Sequence, residues 1–199
     1  MGRRGHALRV SADDPALETA VAQAQDGDEA AFATLYRLVH PGLLGYLRGI
    51  AGDGAEDVTA AAWREIAREL PRFRGDGPGF RGWTASIARR HALGHPRRRG
   101  ASSRSSGSSV APPAAPAPPG ATPSAETAQA LLARLPRAQA EAVLLRHAVR
   151  LDDPAVARVM RRPRPVVRVL ARRGLRNLAR LLGPDDVTRD VAWTLGETR

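Results

Sequence analysis

Residues 152–182 read DDPAVARVMRRPRPVVRVLARRGLRNLARLL, and this stretch decides the fold of the C-terminal half. A short helix is predicted over Pro154–Met160, because Asp152 or Asp153 can cap its first turn, where proline is also tolerated. After a tight turn, a long helix is predicted over Pro165–Leu182. A short helix, a tight turn and a basic amphipathic helix are the parts of a helix-turn-helix, whose second helix enters the DNA major groove.

The long helix has two chemically distinct faces. Its apolar residues recur at helical spacing and are expected to face inward: Val167, Leu170, Ala171, Gly174, Leu175, Leu178 and Leu181. The opposite face carries Arg168, Arg172, Arg173, Arg176 and Arg180. From Arg158 to Arg180 the chain has nine arginines and no acidic residue. Because a merely solvated face normally mixes charges of both signs, we favour contact with a polyanion.

The charge of the whole chain is concentrated in this half. The 199 residues carry 31 basic and 20 acidic groups, a net charge of +11, and every basic residue is arginine. Residues 126–182 hold 13 arginines and 4 acids, a net of +9, whereas residues 26–99 hold 12 and 9, a net of +3. An arginine-rich, lysine-free composition suits a GC-rich coding genome. The placement of the charge favours nucleic acid as a partner.

Composition also excludes several classes of protein. The absence of cysteine rules out disulfides, thiolate nucleophiles and cysteine-based zinc sites, and it fits a reducing cytoplasm. Residues 1–10 lack an apolar run, so a signal peptide is not expected. No stretch approaches the roughly 18 apolar residues of a membrane span. We therefore expect a cytoplasmic protein without membrane insertion.

A composition break divides the chain. Residues 101–125 read ASSRSSGSSVAPPAAPAPPGATPSA, a Ser/Gly-rich and then Pro/Ala-rich run that cannot bury enough surface to fold. The predicted organisation is an N-terminal extension over 1–25, a first module over 26–99, a flexible linker over 100–125, a second module over 126–182 and a tail over 183–199.

Both modules are predicted to be helical, which makes the fold all-α. In the first module the helices are expected over Asp26–Val39, from Pro41 (which restarts the chain) to Ile50, over Ala55–Leu70 and over about Phe80–Leu93. In the second module two helices, Glu126–Leu135 and Arg137–Val149, precede the helix-turn-helix.

No constellation of residues predicts catalysis, a cofactor or a metal. His91 and His95 have the spacing of a helical metal pair, but no third ligand accompanies them. Asp152-Asp153 and Asp185-Asp186 lie in turns and are better read as helix caps. The Gly75–Gly79 run lacks the lysine and the preceding strand of a phosphate loop. An enzyme is therefore not expected.

The order and spacing of three stretches resemble extracytoplasmic-function sigma factors, members of the sigma-70 family of bacterial RNA polymerase subunits, of the actinobacterial type. The first stretch is Ala31-Phe32-Ala33-Thr34-Leu35-Tyr36 with His40, then Ala55-Glu56-Asp57-Val58 and Trp63. The second is Arg72-Phe73-Arg74-Gly75, then Trp83 and Ile87-Ala88-Arg89, ending in the Arg97–Arg99 run. The third is Leu135-Pro136 with Glu141-Ala142-Val143, then Val156-Ala157-Arg158-Val159-Met160 and Val167-Arg168-Val169-Leu170, closing with Arg173-Gly174-Leu175-Arg176.

The resemblance implies that the first module is sigma region 2. Its acidic-faced helix would dock on the clamp of the polymerase β′ subunit through Glu56, Asp57 and Trp63. Its loop and last helix would bind the opened minus-ten promoter element, where a flipped base needs a stacking surface and strand phosphates need cations. The residues concerned are Arg72, Phe73, Arg74, Trp83, Arg89 and Arg90.

The resemblance also implies that the second module is sigma region 4, which reads the minus-thirty-five element as duplex. Arg164, Arg168 and Arg172 form one stripe able to reach guanine O6 and N7. Residues expected to hold phosphates flank that stripe: Arg161, Arg162, Arg173 and Arg176. The partners implied are core RNA polymerase, promoter DNA and an anti-sigma factor.

The chain departs from the family pattern at several positions. Thr59-Ala60-Ala61 stands where a polar Gln-Glu pair is usual, and Gly94 replaces an aspartate. Ala155 replaces a common glutamate, Arg161 a turn glycine and Pro163 a serine cap. Two interpretations of Trp63 stay open, core packing and polymerase contact, and Trp193 in the tail has no assigned role. The alternative function is a stand-alone helix-turn-helix regulator that has lost polymerase binding.

Overall fold

The computed structural model describes residues 14–94 and 125–182. These residues form eight α-helices and no strand, which confirms the all-α prediction. The helices are α1 (Asp14–Gln25), α2 (Glu29–Ala51), α3 (Ala55–Glu69), α4 (Gly77–Gly94), α5 (Ala125–Ala133), α6 (Arg137–His147), α7 (Asp153–Met160) and α8 (Arg164–Leu182). None of these helices is both long and apolar enough to cross a bilayer. The predicted linker up to residue 124, the Arg97–Arg99 run and the tail with Trp193 lie outside the described residues.

Helix α1 lies within the predicted N-terminal extension, where no helix was expected. Leu17, Ala20 and Val21 are buried against α2 and α4. At the end of α1 the amide of Gln25 donates two hydrogen bonds, to the carbonyl of Leu70 at 2.9 Å and to that of Phe73 at 2.7 Å. This helix is therefore part of the packed first module rather than an appendage to it.

Helix α2 runs without interruption through Pro41, so the prediction that Pro41 separates two helices is wrong. Proline removes one backbone donor and strains the preceding turn, a cost of about 3 kcal/mol in a helix interior. A continuous buried stripe on both sides of Pro41, which includes Leu35, Val39, Leu43 and Leu47, holds the helix together. Tertiary burial here outweighs local propensity.

Both ends of the helix-turn-helix lie close to their predicted positions. The carboxylate of Asp152 caps α7 by accepting a hydrogen bond of 2.8 Å from the Ala155 amide. Helix α8 begins at Arg164 and packs on α6, with Gly174 so close that a Cβ would lie 2.7 Å from Val143 Cγ2. Leu175, predicted to face inward, is 43% exposed. It follows Arg168 by seven residues, nearly two full turns, and so points in that arginine's direction.

The two modules pack against each other and share one hydrophobic core. Helix α2 contacts α6, and α4 contacts α7. Small residues allow the close approach of α2. A Cβ on Gly42 would lie 2.4 Å from the carbonyl oxygen of Ala148, and one on Gly49 would lie 2.3 Å from Leu144 Cδ1. The two modules were predicted on either side of a linker, without this docking.

Candidate nucleic-acid interface

The α7–α8 unit presents a continuous exposed basic surface, which we call the basic face. It contains the predicted duplex-binding residues Arg161, Arg162, Arg164, Arg168, Arg172, Arg173 and Arg176, all of them exposed. Helical spacing places Arg164, Arg168 and Arg172 along one side of α8. No acidic residue lies between Arg158 and Arg180, so α8 presents only positive charge to an approaching duplex.

The turn that joins α7 to α8 carries backbone strain. Arg161 has a φ of 53° in the left-handed region, where its amide donates to the carbonyl oxygens of Ala157 and Arg158. Glycine is the residue normally preferred there, because a Cβ is disfavoured in this conformation. The turn nevertheless closes and leaves the Arg161 and Arg162 side chains exposed beside the start of α8.

Arg168 is held by an acidic residue of α7. Its Nε donates a hydrogen bond of 2.8 Å to Oδ2 of Asp153. The other carboxylate oxygen, Oδ1, lies 2.8 Å from Nη1 of Arg146 in α6. Asp153 was interpreted as a possible helix cap, but Asp152 is the cap and Asp153 makes these two ion pairs instead.

The candidate minus-ten residues of the loop form a compact aromatic cluster with α4. Phe73 lies 5.4 Å from Phe80 and 4.9 Å from Trp83, measured between ring centroids. Phe73 and Phe80 are buried, whereas Trp83 is half-buried. Trp83 is therefore the ring of this cluster that is accessible to solvent, and the buried Phe73 packs against it.

Arg72 and Arg74 occupy different environments in the same loop. Arg74 folds back and donates through Nη1 to the carbonyls of Pro71 at 3.0 Å and Phe73 at 2.8 Å. Arg72 is largely exposed and lies 3.4 Å from a carboxylate oxygen of Glu69. Hydrogen bonds from Arg68 and the charge of Arg72 lower the pKa of Glu69. Both side chains are exposed, but Arg74 is committed to backbone carbonyls of the loop, whereas Arg72 makes only the long contact with Glu69.

The two arginines near the end of α4 are both paired. Arg89 donates a hydrogen bond of 2.6 Å from Nε to Oε1 of Glu141 in α6. Burial by itself would lower the pKa of Arg89, but the hydrogen bond and charge of Glu141 outweigh it and the pKa is raised. Arg90 pairs with Glu65 of α3, which also bonds His91 at 2.7 Å.

Glu141 links the two modules, a contact that was not predicted for it. Only 7% of it is exposed, and Oε1 also accepts a hydrogen bond of 3.1 Å from the Tyr46 hydroxyl of α2. Burial raises the pKa of Tyr46 well above its usual value, and the Glu141 charge adds to the effect. An acidic residue inside the apolar run of α6 is the signal that could have identified it.

The candidate polymerase-binding residues of α3 differ in exposure. Glu56 and Asp57 are exposed in the first turn, and Glu56 pairs with Arg48 of α2 at 2.9 Å. That hydrogen bond from Arg48 lowers the pKa of Glu56. The outer face of α3 also carries Arg64 and Arg68, so it mixes charges rather than being acidic along its length.

Trp63 is buried, with 7% of its surface exposed. Its ring centroid lies 4.7 Å from that of Tyr36 and 6.1 Å from that of Phe32. His40 stacks on Tyr36 at 4.3 Å, and burial followed by the charge of Arg48 lowers the pKa of His40. Of the two interpretations left open for Trp63, core packing describes its place in this structure.

The described residues contain no group of three histidine or acidic side chains that could hold a metal ion. Thr59, one of the departures from the family pattern, is buried and donates its hydroxyl to the Ala55 carbonyl at 2.6 Å. Ala155, another departure, is buried opposite Gly82, where a Cβ would meet it at 3.7 Å. Ala155 thus allows α7 to approach α4.

Comparison with known proteins agrees with this architecture. Residues 35–102 match the family model for sigma-70 region 2. This match covers 68 of the 199 residues, about a third of the chain. No curated protein matches the chain by sequence.

A solved structure shares the fold across both modules. The structure of CnrH in complex with the cytosolic domain of CnrY aligns with a TM-score of 0.59 and 21% sequence identity. The alignment covers 85% of this chain and 99% of CnrH. The similarity therefore extends beyond the region 2 segment to the α5–α8 module.

Proposed function

We propose that the chain is an extracytoplasmic-function sigma factor, of the actinobacterial type, that binds core RNA polymerase in the cytoplasm and directs promoter-specific transcription initiation. The match of residues 35–102 to sigma-70 region 2 is the observation that carries this proposal. The fold similarity to CnrH across the second module supports it. Catalysis belongs to the polymerase, and the chain itself is not an enzyme.

The second module reads the minus-thirty-five element as duplex DNA. The exposed basic face and the α7–α8 geometry support this role, because a recognition helix places its N-terminal residues at base edges. Arg164, Arg168 and Arg172 contact bases, while Arg161, Arg162, Arg173 and Arg176 hold phosphates.

The first module binds the opened minus-ten element. The half-buried Trp83 ring can stack with an unpaired base, and the exposed Arg72 can reach the strand phosphates. Phe73 and Arg74 shape the loop under these two residues. Arg89 and Arg90 contact DNA only once the strand phosphates replace Glu141 and Glu65 as their partners.

The exposed first turn of α3 binds the polymerase. Glu56 and Asp57 can meet basic residues of the β′ clamp, and the buried Trp63 holds α3 against α2 behind them. An anti-sigma factor is a further proposed partner, since CnrH, which shares this fold, is found in complex with the cytosolic domain of CnrY.

Transcription in vitro tests the proposal directly. Core polymerase with the full chain should start at defined promoter positions, and core polymerase alone should not. Asp57→Arg should abolish these starts, because it reverses charge on the proposed clamp contact. Arg180→Ala is the matched control, since it also changes a single exposed charge, outside both proposed contact sets. Failure of the full chain to bind core polymerase would overturn the proposal.

The alternative, a stand-alone helix-turn-helix regulator, has one observation in its favour. Thr59 is buried and Ala60 and Ala61 follow it, so this part of α3 offers no polar side chain for a partner. The alternative predicts sequence-specific duplex binding that core polymerase does not change. Titrating core polymerase into a binding assay with the full chain separates the two functions.

A further inference from the structure

Asp153 joins three helices of the second module through one carboxylate. Oδ2 accepts the hydrogen bond from Arg168 of α8, and Oδ1 faces Arg146 of α6, both at 2.8 Å. The Asp153 side chain is 16% exposed, whereas that of Arg168 is 54% exposed. The carboxylate is therefore fixed inside the module while the arginine extends from it toward solvent.

The geometry of the contact leaves Arg168 able to bind a base. A guanidinium carries five N–H donors in a rigid plane. The bond to Asp153 uses Nε, so the terminal edge with Nη1 and Nη2 points away from the carboxylate. Two donors on one edge match the O6 and N7 acceptors of guanine in the major groove.

We propose that Asp153 is a positioning residue that aims the terminal edge of Arg168 at a base, an inference that rests on the proposed reading of duplex DNA by α8. A free arginine side chain loses substantial rotamer entropy on binding. Asp153 restricts the Arg168 side chain before the duplex binds, so less rotamer entropy is lost on binding. Arg146 lies at ion-pair distance from the second carboxylate oxygen without hydrogen-bond geometry, so its charge favours this placement of the carboxylate.

A positioning role and simple charge repulsion predict different effects of Asp153 on DNA binding. Asp153 is a negative charge beside a DNA-binding surface, so removing it should strengthen attraction to every duplex. Loss of positioning should weaken only the contact with the preferred base. Affinity for unrelated duplexes and discrimination between bases should therefore change in opposite directions.

The chain offers a matched control at the preceding position. Asp153→Asn removes the charge that holds Arg168 and keeps the side-chain size. Asp152→Asn removes the same charge one residue earlier and still caps α7, because asparagine is an equally good cap. Both variants should unfold in a single cooperative transition, which checks that each is folded, with Asp153→Asn at the lower temperature because it loses two ion pairs.

The experiment selects preferred duplexes for the full-length wild type from a random pool and then measures binding to single-base variants of the consensus. Asp153→Asn should lose about tenfold in discrimination at one base position. Asp152→Asn should keep the wild-type discrimination. In an Arg168→Ala background, Asp153→Asn should cause no further loss at that position.

Three results would overturn the proposal. If Asp153→Asn keeps wild-type discrimination, the proposal fails while the sigma function stands. If both aspartate variants lose discrimination equally, local charge rather than positioning is responsible. If the wild type selects no sequence, this inference and the proposed duplex reading fail together, and the transcription assay then decides whether a sigma function remains.

Discussion

Arg89 of α4 and Glu141 of α6 are joined by a hydrogen bond of 2.6 Å from Nε to Oε1, which connects the two modules through charged groups. The same oxygen accepts the Tyr46 hydroxyl, so two helices of the first module converge on one buried carboxylate. The rest of the junction is close helix packing at small residues. The docked arrangement thus combines a polar link with steric fit.

Replacing Glu141 with glutamine should weaken the docking. Glutamine keeps the shape but removes the charge opposite Arg89, which is only one-fifth exposed. Breaking a buried ion pair costs about 3–5 kcal/mol, and partial exposure should reduce the loss to about 2 kcal/mol. Small-angle scattering should show a larger radius of gyration, and thermal unfolding should begin earlier.

The matched control for Glu141 is Glu69→Gln, which removes a surface pair with Arg68 at 3.2 Å. Exposed pairs contribute little to stability, so neither the radius nor the unfolding temperature should change measurably. An unchanged radius and unfolding temperature in Glu141→Gln would show that the polar link does not hold the modules together.

Gly42→Ala should push the modules apart, whereas Gly45→Ala should be tolerated. Both replacements favour the helix by about 1 kcal/mol. At Gly42 the new methyl would lie 2.4 Å from a backbone oxygen of Ala148, which cannot move without shifting α6. At Gly45 it would meet the Ala148 Cβ at an ordinary 3.9 Å.

Denaturant unfolding of the two glycine variants distinguishes these cases. We expect Gly45→Ala to be more stable than wild type and Gly42→Ala to be less stable by about 1–3 kcal/mol, the usual cost of overpacking. Equal stability of the two variants would mean that α2 and α6 do not approach as closely in solution.

Arg161→Gly should raise stability and lower DNA affinity at the same time. The left-handed φ of 53° costs a non-glycine residue about 1–2 kcal/mol, which glycine avoids in the folded state. The variant also loses a cation proposed to hold a phosphate, so affinity should fall for all duplexes alike. Calorimetry and binding at several salt concentrations measure the two effects. Arg162→Gly, at a position without this strain, should lose affinity with no gain in stability.

Arg168 and Arg176 should differ in what they contribute to DNA binding. Arg168→Ala should cost about 1–3 kcal/mol on the preferred duplex and relax preference at one base position. Arg176→Ala should weaken all duplexes similarly and reduce the slope of affinity against salt by about one charge. Titrations of the preferred and a scrambled duplex test both. Unchanged affinity of Arg168→Ala for the preferred duplex would show that the recognition stripe is misassigned.

His40 should make the stability of the first module depend on pH. Its folded pKa is below the ordinary value of 6.5, so the folded state binds fewer protons than the unfolded state. Stability is therefore full above the unfolded pKa and falls as the pH drops through about 6.5 toward the folded pKa. His40→Phe, which keeps a ring against Tyr36, should flatten this fall in unfolding free energy. A wild type whose stability is constant from about pH 7.5 to pH 5.5 would contradict the prediction.

Hydrophobic periodicity and caps located most helices, because both are local properties of the chain. The α7 start at Asp153 and the α8 end at Leu182 agree with the predicted boundaries within one residue. Pro41 was wrongly predicted to separate two helices, because the cost of a proline in a helix interior is evident from the sequence, whereas the burial of the residues on both sides of it is not. Helix α1 was missed because its apolar residues are few and include alanines, which indicate burial weakly.

The basic face could be predicted from the charges in the sequence, but the side chains of this protein that its arginines contact could not. The sequence shows that Arg168 is on the outer face of α8, yet its contact with Asp153 depends on how α7 and α8 cross. The docking of the modules depends on distant pairs such as Gly42 with Ala148. Glycines at positions 42, 45 and 49 on one helix face were the local sign that another helix passes close by.

The position of Gln25 affects where the chain can be shortened. A fragment that begins at residue 26, the boundary suggested by composition, would lack the amide that bonds the Leu70 and Phe73 carbonyls. It would also expose the surface that Leu17 and Val21 cover. The loop carrying Arg72 would lose its main anchor although its own sequence is intact, so a shortened first module should start before Asp14.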